Sequence, residues 1–282
     1  MDKIAIISDI HGNLEALKVV LKDIEKRNIK RIFCLGDIIA KGTHPHECIK
    51  LIKERCNIVL QGNCDEYFTR DFSLDNNPNN KTDLAVKRIS WNKSMLTNDD
   101  VNYLKNLPYC YEFYLSGRLV RMFHAAPTKI NDFIGNIDTL DRLYSLFLPS
   151  DNTVSKNKAD VVIYGHIHMQ FMQRIYNRTI INSGSVGNAI DVFRNDKKDG
   201  NVRNTTCANY AVISGDYNSK DYSNPISYEL VSVPYDIDKE LLDDDKNIEK
   251  EDYETELKKG KYRDMTKINK SFKIRGINPK DI

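Results

Sequence analysis

Ile4-Ala5-Ile6-Ile7-Ser8-Asp9-Ile10-His11-Gly12-Asn13 is the stretch on which the fold turns. Its four leading apolar residues lie inside a strand, Lys3 to Ser8, that reads as buried on both faces, because a strand with one wet face would alternate. Beyond it, Leu14, Leu17, Leu21 and Ile24 recur at helical spacing from Asn13 to Arg27, with Asn13 placed to cap the helix. The pattern then repeats. Arg31 to Leu35 is a second short strand, His44 to Arg55 a helix with Cys48, Leu51 and Ile52 on one face, and Ile58 to Leu60 a third strand. Strand alternating with helix predicts βαβ units and a parallel sheet.

Further along the pattern changes. Leu74 to Lys81, rich in Asn and Pro, reads as a loop, and two polar helices come after it, near Leu84 to Lys93 and Asp99 to Leu107. Tyr109 to Leu115 and Leu119 to Phe123 flank Ser116-Gly117 as a hairpin. Val161 to Tyr164, Phe171 to Ile175, Thr179 to Ile181, Tyr210 to Ser214 and Ile226 to Val233 are strands, with a turn at Asn177-Arg178. They predict a second sheet packed on the first. Asp191 to Thr206 reads as a polar insertion. Residues 1–235 form the expected catalytic domain, and 236–282 a charged extension, helical and partly disordered, that Leu241, Leu242 and Ile248 would hold against the body.

The 282 residues suffice for one large domain or two small ones. A net charge of +2 gives no strong nucleic-acid signal. The six cysteines form no CxxC pair, so reduced thiols and a cytoplasmic location are expected, with no disulfide framework. The N-terminus lacks the features of a signal peptide, and no run approaches the ~20 apolar residues that span a bilayer, so no membrane partner is expected.

The residues just past each strand carry the chemistry. Asp9 and His11 stand after the first, Gly36-Asp37 after the second, Gln61-Gly62-Asn63-Cys64-Asp65 after the third, His124 after the strand ending at Phe123, and Gly165-His166-Ile167-His168 after the strand ending at Tyr164. The carboxyl ends of parallel strands share one edge, so these segments deliver seven donors to one crevice. The glycines before Asp37, Asn63 and His166 are expected to let the chain turn sharply. Carboxylate, imidazole and amide oxygen suit divalent transition metals. Seven donors are too many for one metal with an open position and suit two metals sharing a carboxylate. Taken singly, Asp9 or Asp37 reads as a helix cap.

Asp-x-His, Gly-Asp, Gly-Asn-x-Asp, a lone His, and Gly-His-x-His with Asn182-Ser183-Gly184-Ser185-Val186-Gly187 after it resemble the calcineurin-like metallophosphoesterases, and within them the prokaryotic branch of phosphodiesterases and diadenosine-tetraphosphatase-related enzymes. The likeness covers roughly residues 1 to 235. It implies an α/β fold of α+β type, two mixed β-sheets sandwiched between helices in four αββα layers. It implies that Asp9, His11 and His168 bind one metal, Asn63, His124 and His166 the other, and that Asp37 bridges them and helps hold an attacking hydroxide. The metals would be two divalent or trivalent ions, manganese or iron first, with zinc, nickel and cobalt also compatible. The implied substrate is a small phosphate compound: a nucleotide, a dinucleoside polyphosphate or a phosphodiester. A serine/threonine protein phosphatase and a non-catalytic metal-binding scaffold are the rival readings. Oligomeric state stays open.

Two positions depart from the family pattern. Many relatives carry His where this chain has Cys64, the group credited with protonating the leaving group. A thiol with an ordinary pKa near ~8.5 is a poor substitute, so substrates with stable leaving groups are expected. His124 is succeeded by Ala125-Ala126-Pro127 rather than Gly. Around the set, His46 is a candidate proton donor and Asp65 a candidate for orienting a ligand from behind or an ordinary N-cap. Lys41 reads as a solvated lysine with a phosphate contact as the alternative. Tyr67 and Phe68 read as core with base stacking as the alternative. Ser183 to Gly187 reads as a tight loop near the metals.

Overall fold

The computed structural model describes residues 1–69, 83–190, 206–242 and 247–260. The loop read at Leu74 to Lys81, the insertion read from Asp191 up to Thr205 and the tail beyond Gly260 lie outside the described residues.

Strand β1 (Asp2–Ile7) pairs in parallel with β2 (Arg31–Cys34), which pairs in parallel with β3 (Ile58–Val59). Two long strands, β9 (Cys207–Gly215) and β10 (Ser227–Pro234), add antiparallel to the other edge, giving the order β10-β9-β1-β2-β3. The second sheet has the order β4-β5-β6-β8-β7, from β4 (Cys110–Leu115), β5 (Arg118–Phe123), β6 (Val161–Tyr164), β7 (Phe171–Ile175) and β8 (Arg178–Asn182). Its three central strands are parallel.

Alternation of side chains across β1 explains the layering. Ile4 and Ile6 point into a core shared with Phe113, Val120, Met122, Val161, Ile163 and Ile181 of the second sheet. Ala5 and Ile7 point the other way, toward helix α1 (Leu14–Lys26) and helix α2 (Pro45–Arg55). Helix α1 buries Ala16, Leu17, Val20, Leu21 and Ile24 there, roughly 1.5–3 kcal/mol for each large side chain. Asn13 caps it, accepting from the Ala16 amide at 2.9 Å. A third core, with Phe123, Val162, Tyr164 and Ile180, lies on the outer face of the second sheet under α6 (Leu140–Ser145). The result is the expected pair of mixed sheets between helices.

Three local expectations need correction. The hairpin between β7 and β8 turns at Tyr176-Asn177, with φ of 48° and 66°, and Arg178 already belongs to β8. Leu241 packs against the body as expected, but Leu242 and Ile248 are exposed. The extension is anchored instead by Ile237 of α7 (Ile237–Glu240) and by Tyr253 and Leu257 of α8 (Lys250–Lys259). The third correction concerns glycine. Only Gly36 of the three glycines before the donors has a left-handed backbone, at φ 100°. Gly62 and Gly165 are needed for close approach, since a Cβ on either would lie 2.1 Å from Asp37 N or from Ser8 Oγ.

Sequence reasoning missed two helices. One is α6. The other is α3 (Asn63–Thr69), which begins on the donor Asn63 itself.

Candidate metal centre

The sharp turns are made by the donors. Asp9, His11, Asp37, His166 and His168 all have φ between 52° and 66°. That region costs an L-residue roughly 1–2 kcal/mol, so the surroundings must hold it. They do so with a lattice of backbone bonds: Asp9 N to Gly36 O at 3.0 Å, His11 N to Asp37 O at 3.0 Å, and Gly165 N to His124 O at 2.9 Å. Ser185 Oγ and Gly187 N both donate to Asp9 O, at 2.7 and 2.9 Å, so the expected loop at Ser183 to Gly187 braces the Asp9 turn.

These turns bring the donors into two groups. Ligand atoms of Asp9, His11 and His168 lie within 4.8 Å of one another, and so do those of Asp37, His124 and His166. Asn63 joins the second group, with Oδ1 3.0 Å from His124 Nε2. Asp37 Oδ2 lies between the groups, 3.8 Å from His11 Nε2 and 3.5 Å from His124 Nε2.

The proton arrangement tests whether cations fit. His11 Nδ1 lies 3.2 Å from Ile39 O, His168 Nδ1 2.7 Å from Asn188 O, and His124 Nδ1 3.0 Å from Leu35 O. A carbonyl only accepts, so each Nδ1 carries a proton, and a ring with no second proton presents Nε2 as a lone pair. His11 Nε2 and His168 Nε2 then face each other at 2.9 Å. His124 Nε2 faces the Asn63 carbonyl oxygen. Asp9 Oδ1, fully buried, has no hydrogen-bond partner and sits 3.2 Å from His168 Nε2. Facing acceptors about 3 Å apart are what ligands ~2.1 Å from one ion at right angles would show. The donor set therefore fits metal ions.

Burial lowers His11 to about 3 and His166 to about 4, so both stay neutral. For Asp9 burial works upward, but His168 and His124 outweigh it and bring the carboxyl to about 2. Asp37 is likewise held below the ordinary carboxylate range by His124 and His11 against burial. Burial also acts to lower His124, yet the carboxylates of Asp37, Asp9 and Asp65 overcome it and raise it to about 9. In the metal-free protein a proton thus supplies some of the positive charge that the acids demand.

Asp65 stands behind the centre. Its carboxylate accepts from Asp37 N at 2.8 Å, Ile38 N at 2.9 Å and Gly62 N at 3.0 Å. Asp65 is the third residue of α3 rather than its N-cap, and the last bond runs back from it to the residue before the helix. Cys64 N donates to Asp37 Oδ1 at 2.7 Å, and the Cys64 sulfur lies within 4.8 Å of His11 and Asp37 donor atoms. Burial first, then Asp37, pushes that thiol well above its usual range. His46 makes its contact elsewhere, with Nδ1 2.7 Å from Asp100 Oδ2, tying α2 to α5 (Asn98–Lys105). Phe68 is core.

Lys41 is not a solvated lysine. Its ammonium, on a side chain only 12% exposed, meets Asn188 Oδ1 at 2.6 Å and Glu256 Oε2 of α8 at 2.9 Å. Glu256 also accepts from Asn188 Nδ2 at 3.1 Å. Since Asn188 O takes the His168 proton, the extension reaches the centre through one asparagine. Nothing in the sequence marks Glu256, because its partner is 215 residues away. Glu256→Ala removes a buried carboxylate that the Lys41 ammonium meets at 2.9 Å. The expected loss is about 3 kcal/mol of stability in urea unfolding, together with about tenfold weaker metal binding through His168. A stability loss with unchanged metal affinity would show that the tie to His168 carries no function.

The two mixed sheets thus carry a twin cluster of His and Asp where the carboxyl ends of their parallel strands meet. The profile described as "Calcineurin-like phosphoesterase superfamily domain" matches residues 2–199, and the chain belongs to that superfamily. It is 32% identical over 251 residues to the uncharacterized protein MJ0912 of Methanocaldococcus jannaschii, covering 84% of this chain and 89% of that one. Among solved structures it resembles a metallophosphoesterase from Sphaerobacter thermophilus (TM-score 0.60, 24% identity, 85% and 91% of the two chains). It also resembles the hypothetical protein PH1004 from Pyrococcus horikoshii OT3 (TM-score 0.64, 16% identity, 85% and 91%). At these identities the two structures speak for the fold. No helix among the described residues is long and apolar enough to cross a membrane.

Proposed function

We propose that the chain is a phosphoester hydrolase with two metal ions, acting on nucleotide-like anhydrides or phosphodiesters. The observation that carries this is the convergence of buried acceptors, Asp9 Oδ1 and the Nε2 atoms of His11 and His168, on one position with no proton donor between them. Asp9, His11 and His168 would hold one ion, Asn63, His124 and His166 the other, and Asp37 both. Bound there, the ions supply an acidic water and positive charge facing the phosphoryl oxygens. The carbonyls of Ile39, Leu35 and Asn188 fix the imidazole rings, and Asp65 fixes the backbone that presents Asp37. Manganese or iron suits this nitrogen and oxygen set, and zinc, nickel and cobalt also fit.

The leaving group is where this chain sets its preference. Cys64 is the side chain at the donor position, and its thiol is a far weaker acid than an imidazolium. Anhydrides and aryl esters leave without help, whereas alkyl alkoxides need a proton. Turnover of a nucleoside polyphosphate, an aryl phosphate and an alkyl phosphate with each metal tests both claims. We expect the first two to be faster by at least tenfold, and Cys64→His to narrow the gap. Equal rates on the alkyl ester would sink the leaving-group claim. Absence of turnover on every substrate with metal bound would favour a scaffold.

A further inference from the structure

Beside the metal centre lies a cavity of about 160 Å³ lined by Ala40, Lys41, Cys64, Phe68, Arg88, Asn92 and Glu249. It opens next to the chemistry, because Cys64 both lines it and touches the Asp37 carboxylate through its amide. Its far wall comes from outside the strand-end loops: Arg88 and Asn92 from α4 (Asp83–Ser94), and Glu249 at the start of α8.

We propose that this cavity holds the nucleobase of the substrate, with Arg88 and Asn92 reading its edge. The inference rests on the hydrolase reading of the adjacent centre. Three observations select a base over a second phosphate. First, both cations at the wall are already matched: Arg88 pairs with Glu249, and Lys41 with Glu256 and Asn188. A phosphate entering here would meet the Glu249 carboxylate. Second, two buried polar atoms lack partners among the described residues, Arg88 Nε and Asn92 Oδ1. One is a donor and the other an acceptor, and a spacing of four residues puts them side by side on one helix face. Asn92 is 1% exposed and already gives its amide hydrogen to Arg88 O at 2.9 Å, so its free oxygen is fixed in direction. A fully ionised phosphate ester cannot satisfy that oxygen, whereas the adjacent N–H and acceptor of a nucleobase edge satisfy both atoms once a bound base uncovers them, since both are covered in the empty cavity. Third, the remaining surface, Ala40, Cys64 and the Phe68 ring, is apolar, and the volume matches the ~150 Å³ that admits one aromatic ring.

Binding of adenosine, cytidine, guanosine and uridine to the full-length, metal-loaded protein, monitored by ligand-detected NMR, tests this without relying on turnover. At least one nucleoside should bind. Asn92→Leu, which keeps the bulk and removes the acceptor, should weaken it at least about tenfold, as should Arg88→Met. The same factor should appear in KM for the matching nucleotide, with kcat little changed. Unfolding transitions of both variants separate a lost contact from a lost fold. No binding of any nucleoside to the wild type, unchanged binding in a folded variant, or displacement of the nucleoside by inorganic phosphate overturns the proposal. Hydrolysis without nucleoside binding defeats the pocket and spares the hydrolase reading. Nucleoside binding without hydrolysis does the reverse.

Discussion

Asp37→Asn is expected to lower kcat by about a thousandfold or more, roughly 4 kcal/mol of barrier, while leaving the far-ultraviolet circular dichroism unchanged. Asparagine is nearly isosteric and tolerates the left-handed backbone that Asp37 adopts at φ 52°. Its carbonyl oxygen can still accept the Cys64 amide, as Asp37 Oδ1 does at 2.7 Å. What disappears is the charge at Oδ2, which stands between the two groups of donors. Two cations held on either side of a neutral amide would repel each other without the anion that screens them. Activity within tenfold of wild type at saturating metal would mean that Asp37 does not join the two ions.

Metal affinity should rise about tenfold per pH unit below pH 9 where one proton is displaced for each ion bound. The sign is set by His124. Its imidazole, raised to about 9 by Asp37, Asp9 and Asp65 against the pull of burial, holds a proton at neutral pH in the metal-free protein. A cation bound at Nε2 must expel that proton, so raising the pH removes a competitor and tightens binding until the free imidazole is already neutral. His11 and His166, lowered to about 3 and about 4, add nothing in this window. Calorimetric titrations in buffers of different ionisation enthalpy would count about one proton released at pH 7. A count of zero, with affinity flat between pH 6 and 9, would place the metals away from His124.

The convergence of the seven candidate donors was legible because each stands just past an apolar strand, and strand ends are easy to see. Buried runs such as Ile4 to Ile7 and Val161 to Tyr164 announce themselves by composition. Parallel order then forces their carboxyl ends together, which no surface substitution can alter. The short helix α3 was not legible, since Asn63 and Cys64 come after a two-residue strand and the helix is stabilised by Asp65 and the Asp37 carboxylate rather than by its own periodicity. The roles of Lys41 and Glu256 were hidden for a different reason. A charged residue in a charged segment looks solvated until tertiary packing buries it, and the packing partner lies at the other end of the chain. The cavity between α4 and Glu249 is likewise a product of assembly, since none of its walls forms a motif.

The left-handed backbone at Asp9, His11, Asp37, His166 and His168 bears on any effort to make this protein more robust. At such positions glycine or asparagine relaxes the main chain by up to ~1 kcal/mol apiece, so a search guided by melting temperature of the metal-free protein would be drawn to these five sites. Every gain found there would remove a candidate metal ligand or its charge. Heat tolerance and turnover would move in opposite directions as the substitutions accumulated. A selection scheme for this scaffold therefore has to score the metal-loaded form, or it will select an inert variant.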